Sequence, residues 1–193
     1  MHVGVTDNPP WGELGEGAPT GLEVELVAAG IEAEIEWIEG SEEELFATLE
    51  VHELDLVVGG ITSVSPWASV AALTHPYLTT ASLVAVPEGR EPPDDIAAFE
   101  VGVESSSELE GLLRKTDARV IEVEDVAAHE GAVAIDNYLL DDLDVVDTGA
   151  TLGETDHVLA VPMGENDWMT TIERFLLERP DDTEELLPEF GAP

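Results

Sequence analysis

The stretch "GGITSVSPWASVAALTHPY", residues 59–77, contains no Asp, Glu, Lys or Arg, in a chain that is charged almost everywhere else. It is glycine-led and rich in hydroxyls, and it follows the apolar run 54–58. Thr62, in this loop, reads equally well as a ligand contact and as a turn residue. Trp67, further along, reads as ordinary packing ahead of a platform for a ligand. Trp11 stands in a loop after two prolines and fits either role. Asp136 closes the apolar run "GAVAID". An acid at the end of such a run must find a partner or face a cleft. A cleft is favoured over a helix cap, because ligands of open α/β sheets bind beyond the carboxyl ends of the strands.

Other chemistries are poorly represented. The five histidines (His2, His52, His75, His129, His157) show no pair at metal-binding spacing and read as surface or structural residues. The segment "DDLDVVDTGATLGE" lacks the oxygen ligand, glycine and terminal acid that a calcium loop needs at its fifth, sixth and twelfth positions. "LLRKTD" lacks the glycines of a phosphate loop, and there is no Gly-x-Ser-x-Gly elbow. No acid/base pair stands out, so no catalytic residue is assigned, and no cofactor or metal is expected.

Composition narrows the partners. Of 193 residues, 44 are acidic and 6 basic, a formal charge of −38. Such an excess usually disorders a chain, yet 44% of residues are hydrophobic and fall in short organised runs. The chain is expected to fold. Nucleic acid and anionic membrane surfaces are excluded as partners, since both demand Lys and Arg. The acids are spread along the whole length, and Lys115 is the single lysine. This pattern matches the proteins of salt-in halophiles, where molar salt shortens the Debye length to about 3 Å and screens self-repulsion. The absence of cysteine excludes disulfides and thiolate chemistry. No apolar stretch is long enough for a membrane span, so direct insertion is not expected. Met1 runs straight into the strand-like "HVGV" with no leader, which predicts a cytoplasmic protein, or an extracellular one if a leader has been removed.

The elements that must position these residues alternate in type. Strands are predicted over 2–6, 33–38, 54–59, 99–104, 118–123 and 131–136, several apolar at every position as in parallel strands covered on both faces. "TGLE" (Thr20, Glu23), "SEEE" (Ser41, Glu44) and "SELE" (Ser107, Glu110) fit the capping-box pattern at helix starts. Leu22, Leu26 and Ala29 form one helical stripe, Leu45 and Leu49 another. Trp168, Ile172, Phe175 and Leu176 mark a final helix that stops before Pro180. This is an α/β protein. "LVAVPEG" (83–89) and "VLAVPMG" (158–164) look alike and suit two neighbouring crossover strands. That places a first lobe at residues 1–83, continued by 164–193, and a second lobe at 84–163.

The ordered set of motifs resembles the type II periplasmic-binding-protein fold, specifically its amino-acid-type solute receptors of transporters. "VGVTDNPPWGE" resembles the family's first strand and its Pro-Pro-aromatic loop, and "GLEVEL" the start of its first helix. "LDLVVGGIT" resembles the strand ending in a small residue, Gly and Thr, and "HPYLTTASLVAVP" the segment leading into the first hinge strand. "EVGVESSSELEGLL" and "GAVAIDNYLL" resemble the start and a later strand of the second lobe. The resemblance implies two lobes with two hinge strands closing over a small ligand. It implies that Gly60–Thr62 and a following arginine hold a carboxylate, assisted by a hydroxyl at Ser106 or Ser107. Asp136 would take an ammonium group, and Trp11 would stack on the ligand.

The departures from the family pattern are specific. Trp67 falls where the family carries its carboxylate-binding arginine, and it offers one N–H and no charge. His75 replaces the usual Asp before Pro-Tyr, the first helix is shortened, and the helix before "GAVAID" is almost missing between Val126 and Gly131. The chain reads as a trimmed solute-binding domain for a small amine-bearing or neutral ligand, serving a membrane transporter or a sensor. The competing reading is a regulatory interaction module that kept the fold and lost the ligand. An enzyme ranks third. The charge itself generates an expectation: self-repulsion at about 10 mM salt outweighs a typical stability of ~5–15 kcal/mol. Near-UV circular dichroism should collapse on dialysis to that salt and recover in molar KCl; an unchanged spectrum overturns the halophilic reading.

Overall fold

The computed structural model describes residues 1–93, 95–97 and 99–178. Along the chain run β1 (His2–Val5), α1 (Leu22–Gly30), β2 (Glu36–Glu39), α2 (Glu42–Glu50), β3 (Leu56–Val58), β4 (Ala71–Leu73), β5 (Leu78–Pro87), β6 (Glu100–Glu104), α3 (Glu108–Leu113), β7 (Arg119–Val123), β8 (Ala132–Asp136), β9 (Val145–His157), β10 (Ala160–Pro162) and α4 (Asn166–Leu177). The six predicted strands are all present. The last predicted helix ends at Leu177, and Pro180 lies outside the described residues.

Two units form. The first comprises Met1–Thr79 and the chain from Asp156 onward, the second Thr80–Thr155. The chain leaves the first unit early in β5 and returns to it at the end of β9. The crossover assignment for "VLAVPMG" needs correcting. That segment contains β10, which lies between β3 and β4 in the first sheet, whereas "LVAVPEG" belongs to β5, between β8 and β9 in the second. The return crossing is made by β9, whose mixed, half-exposed pattern gave no apolar-run signal.

In the first unit the sheet order is β2-β1-β3-β10-β4, with β1 parallel to β2 and β3, and β10 antiparallel to its neighbours. Strand alternation splits the core. Leu56 and Val58 face one side with Val24, Val27, Ile172 and Leu176, which brings α1 and α4 onto it. Val57 faces the other side with Leu45, Phe46 and Leu49 of α2. In α1 the buried apolar set is Leu22, Val24, Leu26 and Val27, with Glu23 buried among them, while Ala29 is exposed and is not part of the stripe.

The second unit's sheet runs β7-β6-β8-β5-β9, with β6 parallel to β7 and β8 and β5 antiparallel to β8. One face carries Val84, Val101, Val103, Ala132 and Ala134 under Leu113 of α3. The opposite face carries Leu83, Ala85, Val133 and Ile135. No helix occurs among the described residues between β7 and β8.

The three capping predictions diverge. Ser41 and Glu44 form a complete capping box on α2. Ser107 caps α3 through its side chain, but the Glu110 carboxylate accepts from the Ser106 N–H and binds Arg114 instead of closing the box. Thr20 caps nothing: the cap residue of α1 is Gly21, with no side-chain hydrogen bond, and Glu23 turns inward. Accordingly, Ser41→Ala should lower unfolding free energy by ~1 kcal/mol, and Thr20→Ala should stay within about 0.5 kcal/mol of wild type. Equilibrium denaturation in molar salt compares them; equal effects would contradict the assignment.

Candidate functional site

In the first unit, β1 and β3 run parallel and release their loops at the same edge of the sheet. The first loop leads through Asn8 and a cis Pro9–Pro10 bond to Trp11, the second through Gly59 and Gly60 to Thr62. Gly59 (φ 120°) and Gly60 (φ 79°) both lie in the region that side chains avoid. A Cβ on Gly59 would strike the Thr6 methyl, and one on Gly60 the Trp11 ring. The sequence "GG" is thus required twice over, by conformation and by close approach. Asn8 ties the loops together by donating its side-chain N–H to the Gly59 carbonyl at 3.0 Å.

Beneath this loop lies a fully buried carboxylate, Glu23. Its Oε2 accepts from the N–H groups of Gly59 and Gly60, the latter at 3.2 Å, and its Oε1 accepts from the Tyr77 hydroxyl. Burial pushes the Glu23 pKa up to about 7, although Gly59, Tyr77 and Gly60 all act to lower it. The same burial, together with the Glu23 charge, raises Tyr77 well above the ordinary phenol range. The buried Trp11 ring stacks on His157 with centroids 3.7 Å apart and planes at 27°. His157 also pairs with Thr62 through a backbone bridge, and its carbonyl accepts from Tyr77 N–H at 3.0 Å. Burial drives the His157 pKa down to about 4, against a smaller raising influence from Asp156.

The first-unit candidates Trp11, Gly60 and Thr62 therefore gather around Glu23, Tyr77 and His157. None of these last three was a candidate site residue in the sequence, where Glu23 read as part of a capping box. The available signal was Glu23 itself, an acid one turn from Leu26 and Val27 on the inward face of α1. His157, read as surface or structural, is structural and buried. Trp67 sits apart on a 3-10 turn (Pro66–Ser69), stacked on Phe46 at 5.8 Å, with its indole N–H donated to Glu42 at 3.0 Å.

Asp136 and Ser106 belong to the second unit. Asp136 ends β8, and its Oδ1 accepts from the Ser82 hydroxyl at 2.7 Å. Burial raises its pKa, while hydrogen bonds from Ser82 and Tyr138 oppose the rise. Tyr138 is raised in turn, first by burial and then by the Asp136 charge. Ser106 has φ 66°, a strained value for a residue with a side chain, and its N–H donates to the Glu110 carboxylate at 2.8 Å. Among the described residues no three or more His, Asp or Glu side chains are grouped to hold a metal. Each unit thus serves an inward carboxylate, Glu23 or Asp136, with neutral hydrogen-bond donors.

Two α/β units, each built on a mixed five-stranded sheet, with the chain passing out through β5 and back through β9, define the type II periplasmic-binding-protein fold. The model of the bacterial extracellular solute-binding proteins, family 3, matches residues 1–186, and the chain belongs to that family. Solved structures similar over nearly all of both chains include the unliganded, open L-cystine solute receptor of Neisseria gonorrhoeae, at 16% identity and TM-score 0.77, covering 100% of this chain and 93% of that one. An ancestral cationic amino acid solute binding protein is 17% identical with TM-score 0.75, covering 98% and 93%. A lysine-complexed binding component of an ABC transporter from Wolinella succinogenes DSM 1740 is 14% identical with TM-score 0.67, covering 100% and 96%. A sequence comparison with curated proteins finds no match.

The two buried titrating groups predict opposing pH effects. Glu23, usually near 4.5 but about 7 here, holds in the folded state a proton that the unfolded chain has released, so its contribution to stability falls as pH rises through that window. His157, usually near 6.5 but about 4 here, stays neutral in the folded state while the unfolded imidazole charges, so its contribution falls as pH drops. Glu23→Gln removes the first effect and leaves the second. Between pH 6.5 and 4.5 the variant should lose stability relative to wild type by about 1 kcal/mol per pH unit. Denaturation curves across that range test it; a pH-independent difference contradicts the assignment.

Proposed function

We propose that the chain is a solute-binding domain for a small ligand that carries an amine or is neutral, and that Asp136 receives the ligand's positive group. The observation that carries this reading is the environment of Asp136. It is a half-buried carboxylate that accepts from the hydroxyls of Ser82 and Tyr138 and feels the nearby Glu108 charge, with no lysine or arginine among the described residues shifting it. An ammonium or guanidinium group would supply the missing opposite charge. The roles proposed for Trp11, Gly60, Thr62, Trp67 and Ser106 follow the family resemblance, with two adjustments. The Gly60 N–H is engaged by Glu23, and the Trp67 N–H by Glu42, so neither is open to a ligand carboxylate. With no arginine at position 67, an anion would lack a fixed cation in a strongly negative field. Ligand delivery to a membrane transporter is the proposed context, as for the ABC-transporter component among the similar structures.

A second reading, a ligand-free regulatory module, draws on the same internal engagement of Gly60 and Trp67. Titration calorimetry in molar KCl separates the two. Amines, quaternary ammonium compounds and cationic amino acids should include a binder, and Asp136→Asn should weaken it tenfold or more, about 1.4 kcal/mol. Micromolar binding of glutamate or aspartate would overturn the charge preference. Silence across all these compounds would support the ligand-free module.

A further inference from the structure

A buried group that exchanges a proton needs a route to water, and the fully buried Glu23 has a cavity close by. Three things cover the carboxylate: α1 itself, the Gly59–Gly60 loop and the Tyr77 side chain. α1 is fixed in the core through Val24, Leu26 and Val27. The glycine loop is tied by Asn8 and closely packed at both Cα atoms. Tyr77 is different. Its hydroxyl meets Glu23, and the residue also borders a cavity of about 280 Å³ formed with His75, Pro76, Glu173, Leu176 and Leu177. The backbone around it is held, with Thr74 N–H donated to the Leu159 carbonyl at 2.9 Å and Tyr77 N–H to that of His157 at 3.0 Å. His75 is pinned to Glu173 of α4 through Nδ1 at 2.6 Å. The part able to turn is the half-buried Tyr77 side chain.

Protonated, the Glu23 carboxyl is neutral and suits a dry interior. Ionised, it has neutral donors only, and burial works against it. The charged groups on the surrounding elements do not relieve that cost. α1 adds the exposed Glu25, and the β1–α1 loop the exposed Asp7, Glu13 and Glu16. Residues 59–73 carry no charge, and the next segment brings His75 and Tyr77. α4 contributes Glu173 and the exposed Arg174, and the end of β9 Asp156 and His157. Of all these, Tyr77 alone acts on Glu23. Hydration is the remaining way to stabilise the ion. We propose that the Tyr77 side chain is a proton-controlled gate: ionisation of Glu23 favours its turning into the neighbouring cavity, which admits water to the carboxylate and to the N–H groups of Gly59 and Gly60. Linkage fixes the direction. A hydrated Glu23 returns to its ordinary proton affinity, so opening releases a proton and is favoured as pH rises toward about 7, where the closed form ionises too. Gly60 leads directly to Thr62, so the firmness of that loop becomes pH-dependent. The gate lies within the first unit and does not depend on the ligand assignment for Asp136.

The test is amide hydrogen exchange, read by NMR on the full chain in molar KCl and corrected for the intrinsic effect of pH on exchange. The Gly59 and Gly60 N–H groups should exchange faster by about tenfold per pH unit between about pH 5 and 6.5, levelling off above about pH 7. Their exchange should proceed through an opening easier than global unfolding. Glu23→Gln should abolish the pH slope. Tyr77→Ala should leave both glycines exchanging at least about tenfold faster than wild type at about pH 5, with the slope gone. Tyr77→Phe removes only the hydroxyl that lowers the Glu23 pKa, so it should move the plateau to higher pH. That variant keeps the test decisive if either of the others fails to fold, and an unmoved plateau overturns the proposal. Wild-type protection retained in Tyr77→Ala also overturns it, as does a slope that survives in Glu23→Gln. Glycine exchange no faster than global unfolding would assign the proton to overall stability alone and remove the gate.

Discussion

The first unit is organised around the burial of one carboxylate. An isolated ionised acid in a protein interior costs several kcal/mol, and among the described residues no lysine or arginine shifts Glu23. Glu23 is satisfied by two backbone N–H groups and a phenol. That solution dictates the surroundings. The N–H groups of Gly59 and Gly60 can converge on one oxygen only because both residues adopt positive φ, and both positions also lack room for a side chain. Tyr77 must reach inward from a segment more than fifty residues away, and its backbone N–H then fixes the His157 carbonyl. His157 in turn supports the Trp11 ring. Pieces of chain distant in sequence are thus held at the loop edge by a single acceptor.

The same strategy recurs in the second unit. Asp136 is met by the hydroxyls of Ser82 and Tyr138 and carries a raised pKa, as Glu23 does. Among the described residues the arginine pairs are Arg114 with Glu110 and Glu122 and Arg119 with Glu100; both arginines are exposed, where such pairs contribute little. A chain with so few cations serves its inward acids with neutral donors. Neutral donors hold a carboxylate in place without cancelling its charge, so both acids bind a proton more readily than exposed ones do.

The second face of the second unit's sheet is covered without an α-helix, by Val126 and by Leu139, Leu140, Leu143 and Val145, and the β7–β8 connection contributes no helix to it. Gly102 and His129 are matched to that economy: the glycine lowers the sheet surface and the ring fills the gap.

Most strands, most helix positions and the family were legible in the sequence, because each rests on short-range periodicity and on motifs preserved in order. The capping box at Ser41 was legible for the same reason: donor and acceptor are three residues apart. The identical pattern at Thr20 misled, because Glu23 had a better set of donors at Gly59, Gly60 and Tyr77, and no local pattern reports partners so far along the chain. Trp11, Thr62 and Asp136 could be selected as polar or aromatic residues at loop and strand ends, and Gly60 through the family resemblance. That Gly60 is already engaged, that Trp67 packs on Phe46, and that His157 underlies Trp11 became known only from the folded chain. The return through β9 was missed for a related reason. A strand that is half exposed along its length carries no apolar run, and its place is fixed by pairing with β5. The sequence thus determined what is set within one turn or one strand, and the tertiary structure decided which buried polar group is satisfied by which distant donor.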